Sequence, residues 1–131
     1  MSTGAGVVLT TSTANVTGMP MTSVYAAGKA ALRSMARSLA GELLPRGIRV
    51  NAVSPGPVDT GILENGMTAE TAAQFKAQVV AGNPVQRFGT PDEIARAAVF
   101  LAFDGHRARF GNGQRVLVLT KGHRLPSPSL R

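Results

Sequence analysis

The sequence predicts an α/β fold, a parallel sheet of about three strands with flanking helices. Three observations lead there. Short β-branched, apolar runs alternate with longer segments of helical spacing, in the order strand, helix, strand, helices, strand. Each long segment ends at its own proline or glycine signal. Strands joined through helices pair in parallel, and such crossovers are right-handed.

Taken in order, Gly6 to Thr11 is a short apolar run between glycine and polar residues, read as a buried strand. Ser23 to Leu44 is the strongest helix. Leu32, Met35, Ala36, Leu39, Ala40 and Leu43 recur at helical spacing, and Pro45 and Gly47 stop it. Lys29, Arg33 and Arg37 form a basic stripe along it, of which Arg33 and Arg37 are expected to be a solvated face. Ile48 to Val53 is a second strand, which Ser54-Pro55-Gly56-Pro57 is expected to end because prolines lack the amide donor. A helix follows from Thr68 to Val80, broken by Gly82-Asn83-Pro84. Thr90-Pro91-Asp92-Glu93 is a helix start: Thr90 caps, Glu93 returns the bond and Pro91 fits the first turn. That helix is expected to run to about Phe103, and Gln114 to Thr120 reads as a third strand.

Chemistry concentrates at two places. Tyr25, the one tyrosine, and Lys29 are four residues apart and share a helix face. A neighbouring cation favours a phenolate, which makes Tyr25 a candidate proton donor and acceptor. Ser12 follows the first strand and Pro55-Gly56 follows the second. In open parallel sheets ligands bind beyond the carboxyl ends of the strands, so both places fall on one edge.

Composition narrows the field further. The chain has 131 residues with 44% hydrophobic and 5% aromatic content, enough for one small core built from aliphatic side chains. It has no cysteine, which excludes disulfides, thiolate metal sites and a cysteine nucleophile. His106 and His123 lack a metal-ligand pattern, and no apolar run is long enough to span a bilayer. No secretory signal is visible at the start, and a cytoplasmic location is expected. The net charge of +7 is unevenly placed. Residues 1–104 carry eight Lys/Arg against seven Asp/Glu, whereas residues 105–131 carry six Lys/Arg and no acid. The basicity belongs to the tail, no aromatic platform accompanies it, and nucleic-acid binding is not expected.

The residues Ser12, Tyr25-Ala26-Ala27-Gly28-Lys29, Ile48 to Gly56, Thr60 and Pro84 to Glu93, taken in that order, resemble the C-terminal half of the short-chain dehydrogenase/reductase family. The likeness covers residues 6–104 and is nearest to 3-oxoacyl-carrier-protein reductases. It implies the C-terminal half of a Rossmann-type doubly wound parallel sheet. It also implies hydride transfer between NAD or NADP and a small-molecule carbonyl or alcohol. Carried over, Tyr25 resembles the general acid and base. Lys29 resembles the group that supports Tyr25 and bonds the nicotinamide ribose, and Ser12 the hydroxyl that polarises the substrate oxygen. Pro55, Gly56, Val58 and Thr60 match the segment that holds the nicotinamide, and residues 61–89 match the variable lid. A homo-oligomer through the Tyr-bearing helix is implied as well.

Two departures accompany the resemblance. Residues 1–104 are expected to be a partial domain lacking the N-terminal dinucleotide-binding half, since no Gly-rich turn follows a strand. Such a chain is expected to be inactive alone. The alternative is a non-catalytic fragment or oligomerisation module derived from such an enzyme. Residues 105–131 are expected to be a frameshifted or foreign basic tail with one strand and a disordered end. A family-like C-terminus absent from every other reading frame of the encoding DNA would sink that expectation. The run Val7-Val8-Leu9 is expected to present an uncovered, aggregation-prone edge.

Overall fold

The computed structural model describes residues 5–103 and the strand at 115–119. The elements are β1 (Gly6–Thr10), α1 (Ala14–Thr17), α2 (Ser23–Leu43), a 3₁₀ turn (Leu44–Arg46), β2 (Arg49–Pro55), α3 (Ile62–Gly66), α4 (Ala69–Ala81), α5 (Pro91–Phe103) and β3 (Arg115–Leu119). The three strands form one parallel sheet in the order β1-β2-β3, so the expected α/β architecture is present.

The core forms around β2 because β2 is the central strand. Val50 to Ser54 are all buried, as a parallel strand covered on both faces must be. Alternate side chains leave opposite faces. Val50 and Ala52 meet Ala36 and Ala40 of α2, with Val7, Leu9, Leu39 and Leu43 around them. On the other side Asn51 Nδ2 donates to the Leu101 carbonyl of α5 at 3.0 Å, and Leu101 itself is buried. The small side chains of α2 let that helix lie close to the sheet.

The end of α5 is pinned from the strands. Arg49 donates to the carbonyls of Leu101 at 2.9 Å and Ala102 at 2.5 Å, two groups that have no partner inside a helix. A Cβ added to Gly6 would stand 2.3 Å from the Ala102 oxygen, so glycine is what lets β1 pass this helix end. The start of α5 is the capping box read from the sequence. Glu93 N–H donates to Thr90 Oγ1 at 3.2 Å, and Thr90 N–H donates to Glu93 Oε2 at 2.8 Å. Thr68 likewise caps α4, accepting from Thr71 N–H at 3.3 Å.

Three expectations need correction. β2 does not end before the prolines. It runs through Pro55, which pairs with Leu119 and whose carbonyl accepts from Thr13 N–H at 3.0 Å. A proline lacks only the donor, and at a strand end its acceptor remains useful. Arg33 is not on a solvated face: it is half-buried and donates from Nη1 to Asn15 Oδ1 at 3.1 Å, tying α2 to α1. The short helices α1 and α3 were not foreseen, because four- and five-residue turns carry no periodicity. The remaining elements fall within two residues of their expected bounds. The disordered end expected of the tail lies outside the described residues.

Candidate functional site

The site grows from the carboxyl ends of β1 and β2. The chain leaving β1 is fastened to β2 by Thr11. Its N–H donates to the Val53 carbonyl at 2.8 Å, its hydroxyl donates to the same carbonyl at 3.0 Å, and that hydroxyl also meets Ser54 Oγ. Thr11 and Ser54 are fully enclosed, so a hydroxyl pair at this depth satisfies polar atoms that burial would otherwise penalise. Ser12 comes next. Its Oγ accepts from Ala14 N–H at 3.2 Å, and its carbonyl accepts from Asn15 N–H at 3.1 Å and from Asn15 Nδ2. The serine hydroxyl, used there as an acceptor, keeps its own proton to donate elsewhere.

α2 delivers Tyr25 in its first turn and Lys29 one turn later. Lys29 Nζ lies 5.7 Å from the centre of the Tyr25 ring and donates to the Thr10 carbonyl at 3.1 Å. That distance is within cation–π reach. The bond to Thr10 spans 19 residues and fixes the ammonium between the end of β1 and the tyrosine. An ammonium has three donors, so two stay free for a ligand. Tyr25 is 55% exposed.

A cavity of about 380 Å³ opens at this edge, within the size range of small-molecule sites. Ser12, Tyr25, Lys29, Pro55, Gly56, Val58 and Thr60, the seven residues singled out in the sequence, all line it. Sequence reasoning missed Thr10, Thr11, Pro91 and Ile94, which line it too. The two threonines were within reach, since they directly precede Ser12. Pro91 and Ile94 carry no local signal, and only the return of α5 toward the sheet brings them in.

The wall beyond β2 is a loop held by backbone bonds. Val58 makes an isolated parallel bridge with Gly89, in which Asp59 N–H donates to the Gly89 carbonyl at 3.0 Å and Gly89 N–H to the Pro57 carbonyl at 2.9 Å. Behind it, Arg87 grips Glu93 with two parallel contacts of 2.9 and 2.6 Å. Those bonds, with the Thr90 N–H second, hold the Glu93 carboxyl down from its usual 4.5 to about 2.

Chemically the cavity offers one cation, hydroxyls from Ser12, Tyr25 and Thr60, and an apolar wall of Pro55, Val58 and Ile94. No group of three or more His, Cys, Asp or Glu that could hold a metal exists among the described residues. No helix among them is long and apolar enough to cross a membrane.

Comparison with known proteins identifies related sequences and folds. A family model described as enoyl-(acyl carrier protein) reductase matches residues 1–119. The oxidoreductase asL5 of Sarocladium schorii is 41% identical over 99 residues, which are 76% of this chain and 38% of that protein. The 2-(S)-hydroxypropyl-CoM dehydrogenase 3 of Xanthobacter autotrophicus is 39% identical over 94 residues, 71% of this chain and 37% of that one. Among solved structures, a protein assigned as a betaketoacyl-ACP reductase superposes with a TM-score of 0.69 at 43% identity, covering 89% of this chain and 46% of that one. ElxO with NADP bound gives a TM-score of 0.72 at 26% identity, over 87% and 44%. The chain therefore spans less than half the length of these relatives.

Proposed function

This chain belongs to the short-chain dehydrogenase/reductase family, and we propose that its cavity is the nicotinamide and substrate half of an NAD- or NADP-dependent carbonyl–alcohol oxidoreductase site. The observation that carries the proposal is convergence. Three candidate catalytic side chains and four candidate cofactor contacts, from three separate stretches of chain, line one cavity at the strand ends.

The geometry supports the following roles. When bound, NAD(P) supplies the hydride in reduction or accepts it in oxidation. Ser12 Oγ directs its proton to the substrate oxygen and holds the carbonyl in place. Tyr25 gives its phenolic proton to that oxygen as the carbonyl carbon gains the hydride, and takes a proton back in the reverse direction. Lys29, anchored to the Thr10 carbonyl, turns its free donors to the ribose hydroxyls and places positive charge beside the tyrosine. Pro55, Gly56, Val58 and Thr60, which line the cavity, would hold the nicotinamide, Thr60 with its hydroxyl. Nothing in this set reads a 2′-phosphate, so the choice of NAD or NADP lies elsewhere. A cytoplasmic location belongs to the same reading.

The test is an amide proton–nitrogen NMR titration of the chain with NADH and with NADPH. Shifts clustered at Ser12, Tyr25, Lys29 and Thr60 are expected, and Lys29→Met should remove them. A spectrum blind to both nucleotides overturns the proposal.

A second reading, an assembly module built on α2, has its own support. Val24 and Met35 of α2 are exposed, and Gly28 and Gly41 face open space. Sedimentation equilibrium decides it: a dimer is expected, and a monomer at high concentration refutes it.

A further inference from the structure

Lys76 is the residue through which α4 reaches the cavity wall. It lies on α4, one turn beyond Ala72, the helix's single buried residue. Its ammonium donates to Asp59 Oδ1 at 2.9 Å, pairs with Glu64 Oε1 of α3, and stands 5.9 Å from the centre of the Phe88 ring. Lys76 thus joins the strand-end loop, α3 and the segment before α5. Its side chain is 25% exposed, less than either carboxylate partner.

Asp59 is the telling partner. It sits between Val58 and Thr60, both of which line the cavity. Its backbone is fixed to Gly89. Its carboxylate accepts from Lys76, so the loop residue next to Thr60 is tied to α4. The left-handed turn at Gly61, φ 73°, follows at once and launches α3. α4 contributes little packing to compensate: Phe75 is 41% exposed.

We propose that Lys76 is a positioning residue, whose ammonium fastens α3 and α4 to the Val58–Thr60 loop and so sets the cavity's outer wall through ion pairs. Lys76 touches nothing in the cavity and acts through Asp59. The binding part of the test rests on the nicotinamide reading above, whereas the structural part does not.

Amide hydrogen exchange on the full chain tests it, comparing wild type, Lys76→Met and Lys76→Arg. In the methionine variant the amides of 59–61 and of α4 exchange about two- to fivefold faster, while α2 and β2 keep their rates. The arginine variant stays near wild type. Raising the salt to about 1 M moves wild type toward the methionine variant and leaves that variant unchanged. The affinity for NADH falls by a similar factor with methionine and returns with arginine. Unchanged exchange in the methionine variant, acceleration of α2 and β2 alongside α4, or an arginine variant as loose as methionine would each overturn the proposal. If wild type binds neither NADH nor NADPH, the nicotinamide reading fails, and the exchange rates still decide the role of Lys76.

Discussion

Two regions of this molecule are held together by different physics. In the first, α2, β2 and α5 enclose Ala36, Ala40, Val50, Ala52, Val53 and Leu101. The second, α3 and α4 with the loop after β2, buries Ala72 and is tied by the backbone bridge of Val58 with Gly89 and by the ion pairs of Lys76 with Asp59 and Glu64. Burial of apolar area is not weakened by the screening of charge and does not titrate, whereas half-exposed ion pairs respond to both salt and pH. The candidates Ser12, Tyr25 and Lys29 stand near the first region, and the outer wall of the cavity at Val58 and Thr60 with the second.

The comparison breaks most completely if the core is opened. Leu101→Ala empties one of the largest fully buried side-chain positions, on the face of α5 toward the sheet, and is expected to cost about 2–5 kcal/mol by urea denaturation. Both regions should loosen together, since α3 and α4 have no separate core. Overfilling is the milder version. Ala36, wholly enclosed against β2, has no room for extra carbons, so Ala36→Leu should cost about 1–3 kcal/mol. Equal stability for that variant would mean α2 can move off the sheet. Removing the cap with Thr90→Ala should cost about 0.5–2 kcal/mol, read from the same denaturation curves.

The smallest effect is pH, and it should sharpen the contrast. Lys76 draws the carboxyls of Asp59 and Glu64 below their usual 3.8 and 4.5, and they in turn raise Lys76 above its usual 10.5. The contribution of the two carboxylates is fully present above their ordinary values and is lost as pH falls through the lowered ones. The lysine's contribution is present below 10.5 and is lost as pH rises through its raised value. Glu93 behaves like the other acids, its contribution fading between 4.5 and about 2. The buried polar residues among those described are Thr11, Asn51, Ser54 and Asn83, none of which titrates. Amide exchange in α4 should therefore quicken at both pH extremes before β2 responds. Simultaneous loosening of β2 would show that the two regions unfold as one.

Much of the site was legible because its signals are local. The four-residue spacing of Tyr25 and Lys29 is a helix repeat, and the Ser12 and Pro55-Gly56 positions are strand ends. The Thr90–Glu93 box is a cap that spans one turn, and it formed as read. What was missed required partners distant in sequence. Pro55 stays in the sheet because β3 pairs with it, and Arg33 leaves the solvent because Asn15 waits 18 residues earlier. Pro91 and Ile94 reach the cavity only because α5 packs back on β1 and β2.

The sequence by itself determined the alternation of strands and helices, the sheet edge where the candidate residues gather and which residues those are. These follow from spacing, since the backbone repeats every two or 3.6 residues wherever it goes. Only the tertiary structure decided which distant side chains close the cavity, and that Lys76 would meet Asp59 across 17 residues. A charge carries no address along the chain, and its partner is chosen when packing brings two surfaces within a few ångströms.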